Sequence, residues 1–211
     1  MSTAKKKKEK SVPLSLGEAY PEFESGISGI PGTFHSDIQK ELIASAYNEG
    51  QVKDALDSLQ KHDEWFETET IVVWGDNVAQ TRPRSASVGK GVVIYDEAPV
   101  RIWKNNIRLV TQNILRDDFV PARGDCHLYI NVFKRIPKGF SERRRILAEL
   151  GLIRPEKTPD LDNYVKSVQD ALKGVLWMDD CQVTYTESKK LYSMKPRLEF
   201  KLLFRAERLD K

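Results

Sequence analysis

Apolar side chains recur along the chain with two different periods, and segments of the two kinds alternate. Residues 125–133 and 197–205 place an apolar residue at every second position. A period of two is that of a strand with one buried face. The apolar, β-branched runs at 70–74 and 91–95, together with residues 182–190, predict three further strands.

Helices are predicted where apolar residues follow one another at intervals of three and four. Residues 99–116 carry such a face, and residues 141–150 form a short basic segment that Ser141 can cap. A third helix begins near residue 160, because Pro159 suits the start of a helix and Gly174 suits its end. Its apolar stripe consists of Leu161, Val165, Val168, Leu172 and Val175. Since strands and helices interleave, the chain is predicted to have an α/β fold, a mixed α+β sheet with packed helices.

The first third of the chain has a different character. Residues 1–34 are rich in Lys, Gly, Pro and Ser and are expected to be poorly ordered. One helix is predicted from a cap at Ser36 to a stop at Asn48-Glu49-Gly50, and a second contains Val52 and Leu59 and runs toward Trp65. The sequence therefore divides into a partly disordered, partly helical extension, residues 1–69, and a main domain, residues 70–211.

The distribution of charge follows the same division. The chain has 34 Lys+Arg and 31 Asp+Glu, a formal net charge of +3. Residues 1–10 form a basic tip with five lysines and one Glu, a net of +4. Residues 11–69 hold three lysines and twelve acids, a net of −9, whereas residues 70–211 hold 26 basic and 18 acidic side chains, a net of +8. A basic domain favours a polyanionic partner such as DNA. The acidic extension either covers that basic surface or is a helical addition that widens the core or a dimer.

Several classes of protein are disfavoured by the sequence. It contains no run of 18 apolar residues, which argues against a transmembrane helix. The lysine-rich start is not followed by the apolar segment of a secretory signal. Cys126 and Cys181 form no Cys-x-x-Cys pair, so neither a disulfide framework nor a zinc ribbon is indicated. We therefore expect a cytoplasmic protein without a membrane partner.

Carboxylates cluster around the third predicted helix. Asp160 lies at its start, and Asp162 and Lys166 share a face one turn apart. Asp179-Asp180 follows the helix and precedes a strand, and we expect the return of that strand to bring the two pairs together. Carboxylates without histidine or thiolate partners suit a hard cation, Mg²⁺ or Mn²⁺. In a basic domain this arrangement is typical of phosphodiester hydrolysis, with Lys166 offsetting charge in the transition state.

The same residues also have a plainer interpretation. Asp160 can be an N-cap, Asp162 and Lys166 a surface ion pair, and Asp179-Asp180 a turn, because Asp is common in all three settings. Composition leaves the two interpretations about evenly balanced.

The order and spacing of these residues resemble the signature of the RusA-type Holliday junction resolvases. The resemblance is specific because it extends over about 25 residues. It comprises Asp160-Leu161-Asp162-Asn163, Lys166, Asp170-Ala171-Leu172, Gly174, Trp177, Asp179-Asp180 and Gln182-Val183. Gly75 and the Arg82-Pro83-Arg84 loop also resemble the opening segment of that family, so the resemblance covers about residues 70–205 and leaves the extension outside.

The resemblance implies a homodimeric, Mg²⁺-dependent endodeoxyribonuclease, with Mn²⁺ as a substitute, that cuts four-way DNA junctions by paired symmetric incisions during recombination and repair. The catalytic residues would be Asp160, Asp162, Lys166 and Asp180, and the metal ligands Asp160, Asp162, Asp179 and Asp180. Two alternatives remain: a nuclease for flaps or forks, and a protein that binds junctions without cutting them. Because members of this family occur in bacteria and in phages, the resemblance fits both a cellular and a viral origin of the protein.

Basic side chains of the main domain are candidates for contact with DNA phosphates. They are Arg82, Arg84, Arg143, Arg144, Arg145, Lys189 and Lys190. The plainer interpretation is that they are solvated surface residues. His127 and Cys181 are interpreted as structural, because neither has an activating partner in the sequence.

Overall fold

A computed structural model describes residues 45–59, 65–89 and 91–206 of the chain. In chain order the elements are α1 (Glu49–Leu59), β1 (Trp65–Glu67), β2 (Ile71–Trp74), β3 (Arg84–Val88), β4 (Gly91–Tyr95), α2 (Ala98–Ile114), β5 (Cys126–Arg135), α3 (Glu142–Glu149), α4 (Leu161–Leu172), a 3₁₀ turn (Asp180–Gln182), β6 (Val183–Ser193) and β7 (Arg197–Arg205). The disorder predicted for residues 1–34 and most of the helix predicted from Ser36 lie outside the described residues.

Five strands form one mixed sheet with β5 in its interior. Strand β5 pairs in parallel with β6 on one side and antiparallel with β7 on the other. Strands β1 and β2 both pair antiparallel with β7, β1 along residues 203–205 and β2 along residues 197–200. The predicted α/β class is therefore confirmed, and a strand is present at each of the five predicted places.

One face of the sheet is buried against α2 and α4. The alternating apolar positions of β5 and β7 all point to this face, because successive side chains of a strand point to opposite sides. Both helices complete the core with large apolar groups. The core includes Cys126, Leu128, Ile130 and Val132 of β5, Leu198, Phe200 and Leu202 of β7, Trp103 and Ile107 of α2, and Tyr164, Val168 and Leu172 of α4.

Helix α4 runs antiparallel to β5 and β6. The backbone just before the helix lies against the C-terminal part of these strands, where Lys190 Nζ donates to the carbonyl oxygen of Pro159 at 2.9 Å. The segment after the helix lies at the opposite end, where Gln182 Nε2 donates to the carbonyl oxygens of Ala122 and Gly124 at 2.8 and 3.1 Å. The helix has 12 residues and is therefore about 18 Å long. Its two ends thus lie at different ends of the sheet.

The N-terminal part of the described chain differs from the prediction in two respects. The helix predicted from Ser36 does end in this region, since residues 45–46 are helical and residues 47–48 are not, but its stop lies before Asn48, which instead caps the start of α1. Its Oδ1 accepts the Gln51 N–H at 2.9 Å, and Gln51 Oε1 accepts the Asn48 N–H at 3.0 Å, a reciprocal pair that starts a helix. In addition, Trp65 is 2% exposed and belongs to the sheet, which thus begins before residue 70.

Strands β3 and β4 form a separate two-stranded hairpin. All residues of β4 are exposed, including Val92 at 68% and Ile94 at 71%. Among the residues that the structure describes, no helix is both long enough and apolar enough to cross a membrane.

Candidate active site

The first carboxylate pair lies at the N-terminal end of α4. Asp160 is the residue before the helix and has extended backbone angles, but its side chain makes no capping hydrogen bond. Asp162 lies in the first turn, where its Oδ1 accepts a long 3.4 Å hydrogen bond from Asn163 Nδ2. Both residues are exposed. Neither forms an ion pair within the described residues, so both carboxylates are available to a ligand.

Lys166 lies one turn further along α4 but is directed toward the next carboxylate. Its Nζ lies 3.9 Å from Asp170 Oδ1. The same aspartate takes a second, shorter ion pair from helix α2, since Lys104 Nζ lies 2.8 Å from Asp170 Oδ2. Lys104 Nζ is also 2.8 Å from Asp96 Oδ2. The proposed catalytic lysine thus borders a network that joins α2 to α4.

This network is partly buried, and its charges stabilise one another. The side chain of Lys104 is 13% exposed. Hydrogen bonds from Lys104 and Gln80 hold the pKa of Asp96 below its ordinary value. Burial by itself lowers the pKa of Lys104, but the hydrogen bonds to Asp170 and Asp96 outweigh that effect, so this pKa is raised. Asp96 and Lys104 are therefore both charged at neutral pH.

The second carboxylate pair lies beyond the C-terminal end of α4. Asp179 caps the 3₁₀ turn by accepting the Asp180 N–H at 2.7 Å, and Gln182 Oε1 accepts the Asp179 N–H at 2.7 Å. Lys173 Nζ donates to Asp179 Oδ1 at 2.8 Å. This hydrogen bond is the main reason that the pKa of Asp179 is lowered. The buried indole of Trp177 donates to Asp180 Oδ1 at 3.2 Å.

The prediction that the return strand brings the two pairs together within one chain is wrong. Asp160 and Asp162 lie at one end of α4, and Asp179 and Asp180 are bound to Lys173 at the other end. Within the described ranges, no group of three or more His, Cys, Asp or Glu side chains is placed to hold a metal ion. The physical reason is the direction of α4, since the following strand starts where the helix ends rather than where it begins.

The seven predicted DNA-contacting residues occupy different settings. Arg82 and Arg143 are exposed. Arg84 Nε lies 2.6 Å from Glu97 Oε1, a contact that raises the pKa of Arg84. Lys189 is paired with Glu187 at 2.6 Å. The remaining three contact protein groups: Arg144 stacks 4.1 Å over the Phe140 ring, Arg145 donates to the carbonyl oxygens of Phe140 and Lys138, and Lys190 donates to those of Lys157 and Pro159.

His127 occupies the structural setting that the sequence suggests and Cys126 is buried, but the structural role predicted for Cys181 is wrong, because that residue is exposed. The His127 ring packs against Trp65 and Tyr185, and its Nε2 lies 3.5 Å from Asp125 Oδ2. Burial raises the pKa of the Cys126 thiol to about 12, so this thiol is unreactive at neutral pH. Cys181 is a free, exposed thiol beside Asp180.

Comparison with known proteins identifies the family. The model of the family described as endodeoxyribonuclease RusA matches residues 75–202. The chain belongs to the RusA family. It is accordingly an endodeoxyribonuclease, a hydrolase that acts on DNA, in a family that acts on branched DNA junctions. The chain is also 36% identical over 131 residues to the uncharacterized protein YqaN of Bacillus subtilis (strain 168), an alignment that covers 61% of this chain and 91% of YqaN.

Three lysines of this RusA-family chain border the carboxylates and were not singled out from the sequence. Lys173 holds the second pair, Lys104 holds Asp170, and Lys134 reaches the backbone before Asp160. Lys173 directly precedes Gly174 of the family motif, and this position could have identified it from the sequence. Lys104 and Lys134 are distant in sequence from the groups that they bind, and nothing in the local sequence indicates those contacts.

Proposed function

We propose that the chain is a Mg²⁺-dependent endonuclease that resolves four-way DNA junctions by paired, symmetric incisions. The observation that carries this proposal is the pair Asp160 and Asp162 at the start of α4. They are two exposed carboxylates that form no ion pair with the described residues, in a domain of net charge +8. Anionic groups left unpaired in a basic domain favour a cation as their ligand.

The donor set fits a hard divalent cation. Mg²⁺ is typically bound through one or two carboxylates together with water and substrate phosphates, and Asp160 and Asp162 can supply those carboxylates; Mn²⁺ accepts the same oxygen donors. When bound, the cation activates water and offsets charge on the phosphate. Lys166, one turn from Asp162, supplies a fixed positive charge toward the same phosphate. Its contact with Asp170 is long, at 3.9 Å, and its side chain is 65% exposed, so the ammonium group would be free to turn toward that phosphate.

A homodimer completes this proposal, because one chain presents its carboxylates as two separate half-sites. In a two-fold symmetric dimer, Asp179 and Asp180 of one protomer would complete the half-site that holds Asp160 and Asp162 of its partner. Large exposed apolar side chains support this dimer, because a second copy of the chain would bury them. They include Val92 and Ile94 of the β3–β4 hairpin and Ile102 and Leu109 of α2, which are 60–71% exposed.

Two such sites related by a two-fold axis would produce the paired incisions. Arg82 and Arg84, together with Arg143, Arg144 and Arg145 of α3, would bind the phosphates of the junction arms. Lys189, on the face of β6 opposite Lys190, would contribute at longer range. We place this activity in the cytoplasm, where its DNA substrate is found and where free cysteines such as Cys126 and Cys181 are kept reduced.

The proposal is tested by cleavage assays on a synthetic four-way junction, a flap, a fork and a linear duplex, each with Mg²⁺ and with EDTA. We expect paired nicks in the four-way junction that require Mg²⁺. Asp162→Asn should abolish cleavage and retain junction binding, because it removes a metal ligand together with a charge that repels phosphate. Asp118→Asn, a change at an exposed aspartate beside Arg116, is the matched control and should cleave normally.

The alternatives predict different results in the same assays. Cleavage of flaps or forks in preference to four-way junctions would assign another branched substrate. Binding of the junction without cleavage under any metal would indicate a recognition protein. Cleavage by Asp162→Asn at the wild-type rate would remove the catalytic assignment of that residue.

A further inference from the structure

Two lysines from neighbouring strands converge on the backbone that leads to Asp160. Lys190 of β6 donates to the carbonyl oxygens of Lys157 and Pro159 at 3.2 and 2.9 Å. Lys134 of β5 donates to the carbonyl oxygen between them, that of Thr158, at 3.4 Å. Three successive carbonyl groups are thus bound by two ammonium groups immediately before a proposed metal ligand.

The register of the parallel strands explains why the two lysines meet. Lys190 pairs with Val132, and Lys134 follows Val132 by two residues on β5. Side chains two residues apart on a strand point to the same face, which here is the face covered by α4. The Lys134 ammonium accordingly lies 5.8 Å from the centroid of the Tyr164 ring of α4. Both lysines are therefore held by the sheet at the N-terminal end of that helix.

The charges of this lysine pair are balanced by dipoles alone in the described chain. Neither lysine forms an ion pair within the described ranges, whereas Lys104, Lys173 and Lys189 each do. Burial lowers the pKa of Lys134, and the nearby charge of Lys190 lowers it further. Each ammonium carries three donors, and carbonyl groups occupy two on Lys190 and one on Lys134. An anion bound here would contact two positive charges whose remaining N–H donors are not used by these carbonyl groups.

We infer that Lys134 and Lys190 form a phosphate site that binds one phosphodiester of the DNA strand next to Asp160. This inference rests on the proposed nuclease function in one respect, namely that the bound anion is a DNA phosphate. A phosphodiester is the anion that fits, because the site lies beside the carboxylates in a basic domain whose substrate is DNA. The lysine pair then holds the backbone of the DNA strand next to the proposed metal-binding carboxylates.

The test is the salt dependence of DNA binding, measured with EDTA present so that no cleavage occurs. The affinity of the full chain for a four-way junction and for a linear duplex is determined between about 50 and 200 mM salt. For Lys134→Met combined with Lys190→Met, we expect the slope of log affinity against log salt to fall by about 0.9, the value for one phosphate contact in duplex DNA. Lys134→Arg with Lys190→Arg should retain the slope, because the charge is kept.

Lys201→Met is the matched control, since Lys201 is a strand lysine whose ammonium lies 5.2 Å from the Tyr129 ring and is paired with Glu67; its slope should equal that of the wild type. Lys134→Met alone breaks one long hydrogen bond and provides a variant that folds if the double variant does not.

An unchanged slope in the methionine variants would overturn the inference, even if cleavage falls, because the two lysines would then only hold the backbone of residues 157–159. If the methionine variants have a reduced salt slope but the wild-type chain cuts no four-way junction, the inference is supported and the proposed resolvase activity is contradicted.

Discussion

Lys173 Nζ lies 2.8 Å from Asp179 Oδ1 and 3.7 Å from Asp180 Oδ2, so one lysine at the end of α4 holds both carboxylates of the second pair. Asp160 and Asp162 lie at the beginning of the same helix. A single chain therefore holds its two carboxylate pairs at opposite ends of a 12-residue helix, which is about 18 Å long. This separation is the basis for the first prediction.

Chains that carry Asp162→Asn and chains that carry Asp180→Asn should complement each other. If each site combines half-sites from two protomers, a mixed dimer has one site with both changes and one intact site. Co-expression of differently tagged chains and purification of the mixed dimer should therefore restore single nicks in a four-way junction.

A mixture of Asp160→Asn and Asp162→Asn chains is the control for this experiment. Both changes lie in the same half-site, so every site of that mixed dimer is damaged and no cleavage is expected. Absence of cleavage in the first mixture as well would show that Asp180 acts within its own chain, whereas cleavage by the Asp180→Asn homodimer would show that Asp180 is not needed.

Trp177→Phe should reduce kcat by about tenfold with little effect on DNA affinity. The change removes the indole N–H that donates to Asp180 Oδ1 at 3.2 Å, and a hydrogen bond to a charged group contributes about 1.5–3 kcal/mol. Trp103→Phe, a similar change in the core, serves as control. Equal losses of activity in both variants would point to packing rather than to the position of Asp180.

Lys104→Met should lower the free energy of unfolding by about 2 kcal/mol, measured by urea denaturation. The variant leaves Asp96 and Asp170 in a partly buried site without their shared cation. Lys201→Met removes a more exposed ion pair and should cost less than about 1 kcal/mol. A Lys104 variant as stable as the Lys201 variant would show that solvent screens the network.

The same network predicts a loss of stability in acid. The pKa of Asp96 is lowered in the folded chain, so its contribution to stability is present above its unfolded pKa of about 3.9 and is lost as the pH falls through the folded value. Asp96→Asn should be less stable than the wild type at pH 7 and should lose less stability between pH 5 and pH 3. Parallel losses in the two proteins would contradict this assignment.

The two cysteines should differ in reactivity toward a thiol reagent at neutral pH. Cys126 is buried and burial raises its pKa to about 12, whereas Cys181 is exposed. One thiol should react rapidly in the native protein and two in denaturant. Cys181→Ser should abolish the rapid phase, and its persistence in that variant would show that the core around Cys126 opens readily.

The periodicity of the chain was sufficient to predict most of the fold. Strands β5 and β7 were predictable because one buried face requires an apolar side chain at every second residue. Helix α4 was predictable because its apolar stripe is framed by Pro159 and Gly174. The break between the two N-terminal helices was predictable near Asn48, but the role of Asn48 as the cap of α1 was not, since Asn and Gly are also common at helix ends.

The family was also readable from local sequence, because Asp160 to Val183 form one motif and motifs of this kind are short-range. The arrangement of that motif in space was not readable. Whether a return strand brings two carboxylate pairs together depends on where the strand begins relative to the helix, and α4 runs antiparallel to β5 and β6. The contacts of Lys104 and Lys134 are likewise set by packing between elements distant in sequence. Local spacing therefore determined which residues are proposed to carry the chemistry, and long-range packing determined that one chain holds them at opposite ends of a helix.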